Sequence, residues 1–184
     1  RAYGPFSAAK QEGRLNVELL GIDRRLLTLV GARLGMDFKD TKIHSTNVIE
    51  LAKAGNQVTA SGALVVSGFS ITQSNRSTPV VNIDLNYGTS VDRANNAAVL
   101  QKLQVTGTQN QKPLIMASLA QPMSISLGQA NTALPDSTLN TKITGFSFKD
   151  WAALLGDDVP EGNLNADMEV QSRESGKLLA LKGR

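Results

Sequence analysis

His44 is the only histidine in the 184-residue chain, and there is no cysteine. A zinc site needs several nitrogen or sulfur ligands, so these residue types cannot build one. The single histidine lies in the polar stretch "TKIHSTN", where a structural or solvent-facing role is expected. Asp157, Asp158 and Glu161 bring three carboxylates close in sequence, but their spacing lacks the pattern of a calcium loop. They read as a solvated turn. Serines are plentiful, yet one histidine supports no set of nucleophile, base and orienting group. "NRS" at Asn75 is a formal glycosylation sequon, without meaning in a bacterial protein. The expectation is a chain that is not an enzyme and holds neither metal nor cofactor.

Composition narrows the remaining classes. Hydrophobic residues make up 41% and charged residues 19%, which suits a folded domain with its own core. Aromatic residues are only 4%, so apolar surfaces must be mainly aliphatic. Absence of cysteine excludes disulfides and thiolate chemistry without assigning a compartment. The net charge of +3 is spread over short runs such as "DRR", "KDTK" and "QKLQ". No basic block is interleaved with aromatics, so nucleic acid is not an expected partner. No apolar run approaches the roughly 20 residues needed to cross a bilayer. The chain opens on Arg1 and closes on "LLALKGR", which reads as a strand cut short. One domain over 1–184, a section of a larger protein, is expected.

The elements are mostly strands. "VVNIDLNY" alternates strictly, with Val81, Ile83, Leu85 and Tyr87 on one face and Asn82, Asp84 and Asn86 on the other. "QVTASGALVV" places Val58, Ala60, Gly62, Leu64 and Val66 together. The phase then shifts at Ser67-Gly68, predicting a turn or bulge. "PLIMASLAQPMSISLG" reads as two strands broken at Pro122, with Ile115, Ala117 and Leu119 sharing one face and Met123, Ile125 and Leu127 another. "GNLNADMEVQS" alternates Leu164, Ala166, Met168 and Val170, followed by the turn "RESG" and "GKLLALKG". About ten strands at hairpin spacing predict a long antiparallel meander. "SVDRANNAAVLQKLQV" fits a helix capped at Asp92 or a hairpin turning at Ala94-Asn95-Asn96, and its strand-like flanks favour the hairpin.

Two segments break the alternation. "IDRRLLTLVGARLG" has Asp23 as an N-cap and Leu26, Leu27, Val30 and Leu34 at helical spacing. "GFSFKDWAALLG" has Trp151, Leu154 and Leu155 on one side and Gly156 as a C-cap. The two also align as a repeat: Leu15, Asn16, Leu19, Gly21 and Ile22 match Leu139, Asn140, Ile143, Gly145 and Phe146. Each unit passes from strand through glycine to a short helix. Such helices predict caps on the edge or end of a curled sheet.

These patterns, "LNVELLGIDRRLLTLVGARLG", "TPVVNIDLNYGTSVDRANNAAVLQKLQV" and "ITGFSFKDWAALLGDDVPEGNLNADMEVQS", resemble the AsmA-like proteins of Gram-negative bacteria. The resemblance covers most of the chain and rests on element pattern, not on an invariant motif. It implies a periplasmic protein anchored in the inner membrane by a helix outside this chain. Its body would be a curled antiparallel β-sheet, an open half-barrel or groove, with two short capping α-helices. The implied role is handling phospholipid acyl chains in outer-membrane biogenesis, as in bridge-like lipid-transfer proteins. The groove residues expected on this reading are Leu64, Val66, Val81, Ile83, Leu85, Tyr87, Ile115, Leu119 and Ile125. A closed sandwich or barrel serving as a scaffold module of a large envelope protein is the alternative.

Overall fold

Fourteen strands and two short helices form in a computed structural model, which describes residues 1–126, 136–156, 158–173 and 178–184. The strands are β1 (Ala2–Tyr3), β2 (Phe6–Ser7), β3 (Glu12–Ile22), β4 (Lys42–Ala52), β5 (Gln57–Phe69), β6 (Thr72–Gln73) and β7 (Arg76–Ser77). They continue as β8 (Val81–Asp92), β9 (Ala97–Gln109), β10 (Lys112–Leu119), β11 (Met123–Ser126), β12 (Ser137–Ser147), β13 (Asn163–Arg173) and β14 (Leu178–Gly183). Helix α1 (Arg24–Gly31) runs into a 3-10 turn over Ala32–Leu34, and a 3-10 turn over Lys149–Trp151 leads into α2 (Ala152–Leu155).

The main sheet is antiparallel throughout, in the order β1-β3-β4-β5-β8-β9-β10-β12-β13-β14. β2 pairs with β3 and β11 with β9. The expected meander is therefore present. The segment after Asp92 is the hairpin, with β8 and β9 joined through residues 93–96. The path has two unpaired ends, so the sheet is open, and the barrel form of the scaffold alternative is excluded. The other described sheet is the two-stranded β6–β7 hairpin. Among the described residues no second layer covers the main sheet. Total accessible surface is 11853 Å². A compact monomer of 19.6 kDa would expose about 8,600 Å².

One device recurs three times. β3 carries one extra residue between Leu19 and Ile22, β5 between Val66 and Phe69, and β12 between Ile143 and Phe146. Each bulge holds a glycine in the left-handed region: Gly21 at φ 74°, Gly68 at φ 64° and Gly145 at φ 64°. Glycine adopts this conformation without the strain a Cβ brings, the signature of a G1 bulge. The amide of Gly68 donates to Asn82 Oδ1 at 2.9 Å, and that of Gly145 to Asn165 Oδ1 at 2.8 Å. After each bulge the chain leaves the sheet, into α1, into the β6–β7 hairpin, or into α2. The predicted repeat, which matches residues 15–22 to residues 139–146, is thus the first and third copy of a structural unit, with a second copy between them.

All three excursions gather at one end of the sheet, and the tightest packing is there. Trp151, Val81 and Leu114 form a buried cluster flanked by Phe69, Ile83 and Phe146. The Trp151 indole stacks on Phe146 with ring centroids 5.4 Å apart, and Phe148 meets Phe146 edge-on at 5.6 Å. The hairpin is tied to the α1 segment by paired hydrogen bonds between Asp37 and Thr72, at 2.8 and 2.9 Å. Asp37 also takes both ends of the Arg24 guanidinium. Its carboxyl is held below the usual carboxylate value, first by the Lys39 backbone N–H and then by Arg24.

Helix α1 starts where expected: Asp23 Oδ1 accepts the Arg25 amide at 3.0 Å. Its orientation is a surprise. Gly31 is buried against Phe38, so closely that a Cβ would lie 2.9 Å from the ring. Leu27 is half-buried on the same inner side, whereas Leu26, Leu29, Val30 and Leu34 are exposed. Most of the apolar stripe points away from the sheet.

Candidate functional site

Register turns strand alternation into two continuous surfaces. One row runs Ile22, Ile43, Val66, Ile83, Gly107, Ile115, Ile143 and Ala166 across eight neighbouring strands. The next runs Leu19, Ser45, Leu64, Leu85, Val105, Ala117, Thr141, Met168 and Gly183. A third holds Val17, Asn47, Gly62, Tyr87 and Leu103 on one side and Leu119, Leu139, Val170 and Leu181 on the other. The opposite face carries rows such as His44, Val65, Asp84, Thr106, Met116, Lys142 and Asp167.

Eight of the nine candidate residues therefore share one face. Val66 and Val81 are buried near its capped end, with 9% and 3% exposure. Leu64, Ile83, Leu85, Tyr87, Ile115 and Leu119 are half-buried along it. Ile125 pairs with Ala98 through its backbone, but its side chain lies outside the described residues. Leu127, Asp157 and most of the "RESG" turn also lie outside them. His44 is exposed on the polar face, as expected.

The apolar face contains one polar knot. Tyr87 donates its hydroxyl to Asn47 Oδ1 at 2.8 Å, although β5 lies between their strands. Gly62 leaves room for this contact, because a Cβ there would fall 2.5 Å from Asn47 Oδ1. Asn47 Nδ2 in turn donates to Ser45 Oγ at 2.8 Å and to the Val17 carbonyl at 3.3 Å. A paired polar group avoids the penalty of an unmet buried donor or acceptor, so the knot interrupts the aliphatic surface at little cost.

A concavity of about 630 Å³ lies mainly on the polar face, over β9 to β14. Gln104, Met116, Asn140, Lys142, Asp167 and Lys182 line it, and none of the candidate residues does. A twisted sheet is saddle-shaped, so each face is concave along one diagonal. The Lys142–Asp167 pair there is 3.8 Å apart and well exposed, so it contributes little. Among the described residues no group of three His, Asp or Glu side chains is placed to hold a metal ion. No described helix is long and apolar enough to cross a membrane.

No family model, curated protein or solved structure matches this chain.

Proposed function

We propose that this chain is a non-enzymatic lipid-handling module of the AsmA-like type. It holds phospholipid acyl chains against the apolar face of its sheet, in a periplasmic protein that serves outer-membrane biogenesis. The inner-membrane anchor belongs to the parent protein, beyond this chain. The observation that carries this reading is an aliphatic face running across the sheet with no second layer on it. A half-buried aliphatic face without a covering layer leaves apolar surface for a ligand or partner.

Dimensions agree. Each strand of 11 residues is about 37 Å long. One leaflet of hydrocarbon is about 15 Å thick, so an acyl chain fits along the strands with room to spare. Burying a methylene is worth roughly 0.8 kcal/mol, so most of one chain gains on the order of 10 kcal/mol before ordering costs. Such holding requires no acid, base or metal. In this proposal the sheet curls toward its apolar side. Trp151, from the β12–β13 connection, meets Val81 of β8, three places away in the strand order, which favours that curl. A scaffold sandwich would instead cover the same face with a second sheet.

The test is native mass spectrometry of the purified chain and of Leu85→Asp. The wild-type chain is expected to carry phospholipid. Leu85→Asp is expected to lose it while staying folded, because Leu85 is half-buried on that face outside the Trp151 cluster and water reaches the new carboxylate. A variant that unfolds outright argues for a packed core and the scaffold. A folded variant that keeps its lipid removes this face from the mechanism.

A further inference from the structure

Helix α1 displays its leucines to solvent at the capped end of the sheet. Leu26, Leu29, Val30 and Leu34 are 52%, 74%, 64% and 57% exposed. At positions i, i+3 and i+4 of a helix, Leu26, Leu29 and Val30 form one stripe. The inner side is already committed: Gly31 packs on Phe38, and Arg24 is clamped by Asp37. The stripe therefore has no place left to go within the described fold. Leu154 and Leu155 of α2, 45% and 50% exposed, add apolar surface at the same end.

Charge identifies the partner. Two acids border this stretch, Asp23 as the helix cap and Asp37 on Arg24, and between them stand Arg24, Arg25 and Arg33. Arg25 and Arg33 make no ion pair among the described residues. Leucines on one side of a helix with arginines around them match the surface of an anionic bilayer: apolar side chains enter the acyl boundary while guanidinium groups meet phosphates. A helix of 8 residues is too short to form alone at that surface. Here the Asp23 cap and the Arg24–Asp37 clamp fold it in advance, so docking does not bear the cost of ordering it.

We infer that α1 is a membrane-docking tip, which seats the capped end of the sheet on an anionic lipid surface. The inference is independent of acyl-chain holding by the sheet face. It also differs from anchoring by a transmembrane helix, since the contact is peripheral and made by this chain's own residues.

Flotation with vesicles tests it, comparing phosphatidylcholine alone with an equal mixture of phosphatidylcholine and phosphatidylglycerol. The full chain is expected to float with the mixed vesicles and only weakly with phosphatidylcholine. Arg25→Gln/Arg33→Gln should weaken binding by about tenfold or more, as should raised salt. Leu29→Ser/Val30→Ser should weaken it by roughly tenfold or more, without changing the melting temperature of these exposed sites. Leu85→Asp should float like the wild type even where it loses co-purified lipid, which separates docking from holding. No binding to mixed vesicles overturns the inference, and so does equal binding by the wild type and both double variants. A dimer by light scattering that dissolves in Leu29→Ser/Val30→Ser would also overturn it, assigning the stripe to a second copy.

Discussion

Trp151 is the aromatic member of the buried cluster at the capped end. It is 8% exposed, stacks on Phe146 and touches both Val81 and Leu114. Few buried side chains support this end, so its loss would leave a cavity that neighbours cannot fill. Trp151→Ala should destabilise the chain by about 3 kcal/mol or more. The indole N–H meets no acceptor among the described residues, so Trp151→Phe removes volume without breaking a bond and should cost clearly less. Denaturant melts of the two variants check this, and equal losses would contradict it. Tyr87 works differently, since its ring lies on the apolar face while its hydroxyl is spoken for by Asn47.

At the scale of elements, the repeated glycine bulge is the organising unit. It ends a strand's pairing, turns the chain out of the sheet and places an excursion at the same end each time. Gly145 has no heavy atom within 4 Å of a Cβ built on it, so a methyl group fits in space but not in conformation. Gly145→Ala should therefore cost about 1–2 kcal/mol through backbone strain alone. Asn165→Ala removes the acceptor of the Gly145 amide and should destabilise the same region by about 1 kcal/mol. Thermal melts followed at Trp151 fluorescence read both, and a neutral Gly145→Ala would mean the bulge relaxes. Helix α1 rests on different supports, its Asp23 cap and the Arg24–Asp37 clamp.

For the whole molecule, the excess surface is the defining property. A compact chain of 184 residues has a radius of gyration of about 16 Å. A single-layer sheet ten strands wide along its main path should exceed this clearly in small-angle scattering. Binding of phospholipid should raise the melting temperature in a concentration-dependent way, since a ligand of the folded state adds stability by mass action. A radius near the compact value would mean that the apolar face is covered in solution.

The sequence by itself determined the strands, their facing and their breaks. Alternation in "VVNIDLNY" and "QVTASGALVV" assigns sides because the side-chain period of a strand is two, whatever lies above it. Pro122 breaks a strand because it cannot donate to the ladder, and Asn95-Asn96 turns one because asparagine tolerates the left-handed region. Gly21 and Gly145 announced two of the three bulges as a repeat, and the phase shift at Ser67-Gly68 marked the other without revealing its kinship. Tertiary structure decided what covers each surface. Alternation is identical for a face beneath a second sheet and a face left bare, because the pattern is local and the cover is not. The outward turn of α1 escaped for the same reason: Leu26 and Val30 have the spacing of a core stripe, but Gly31 against Phe38 and Arg24 on Asp37 set the rotation. Such contacts join residues that periodicity within one element cannot relate.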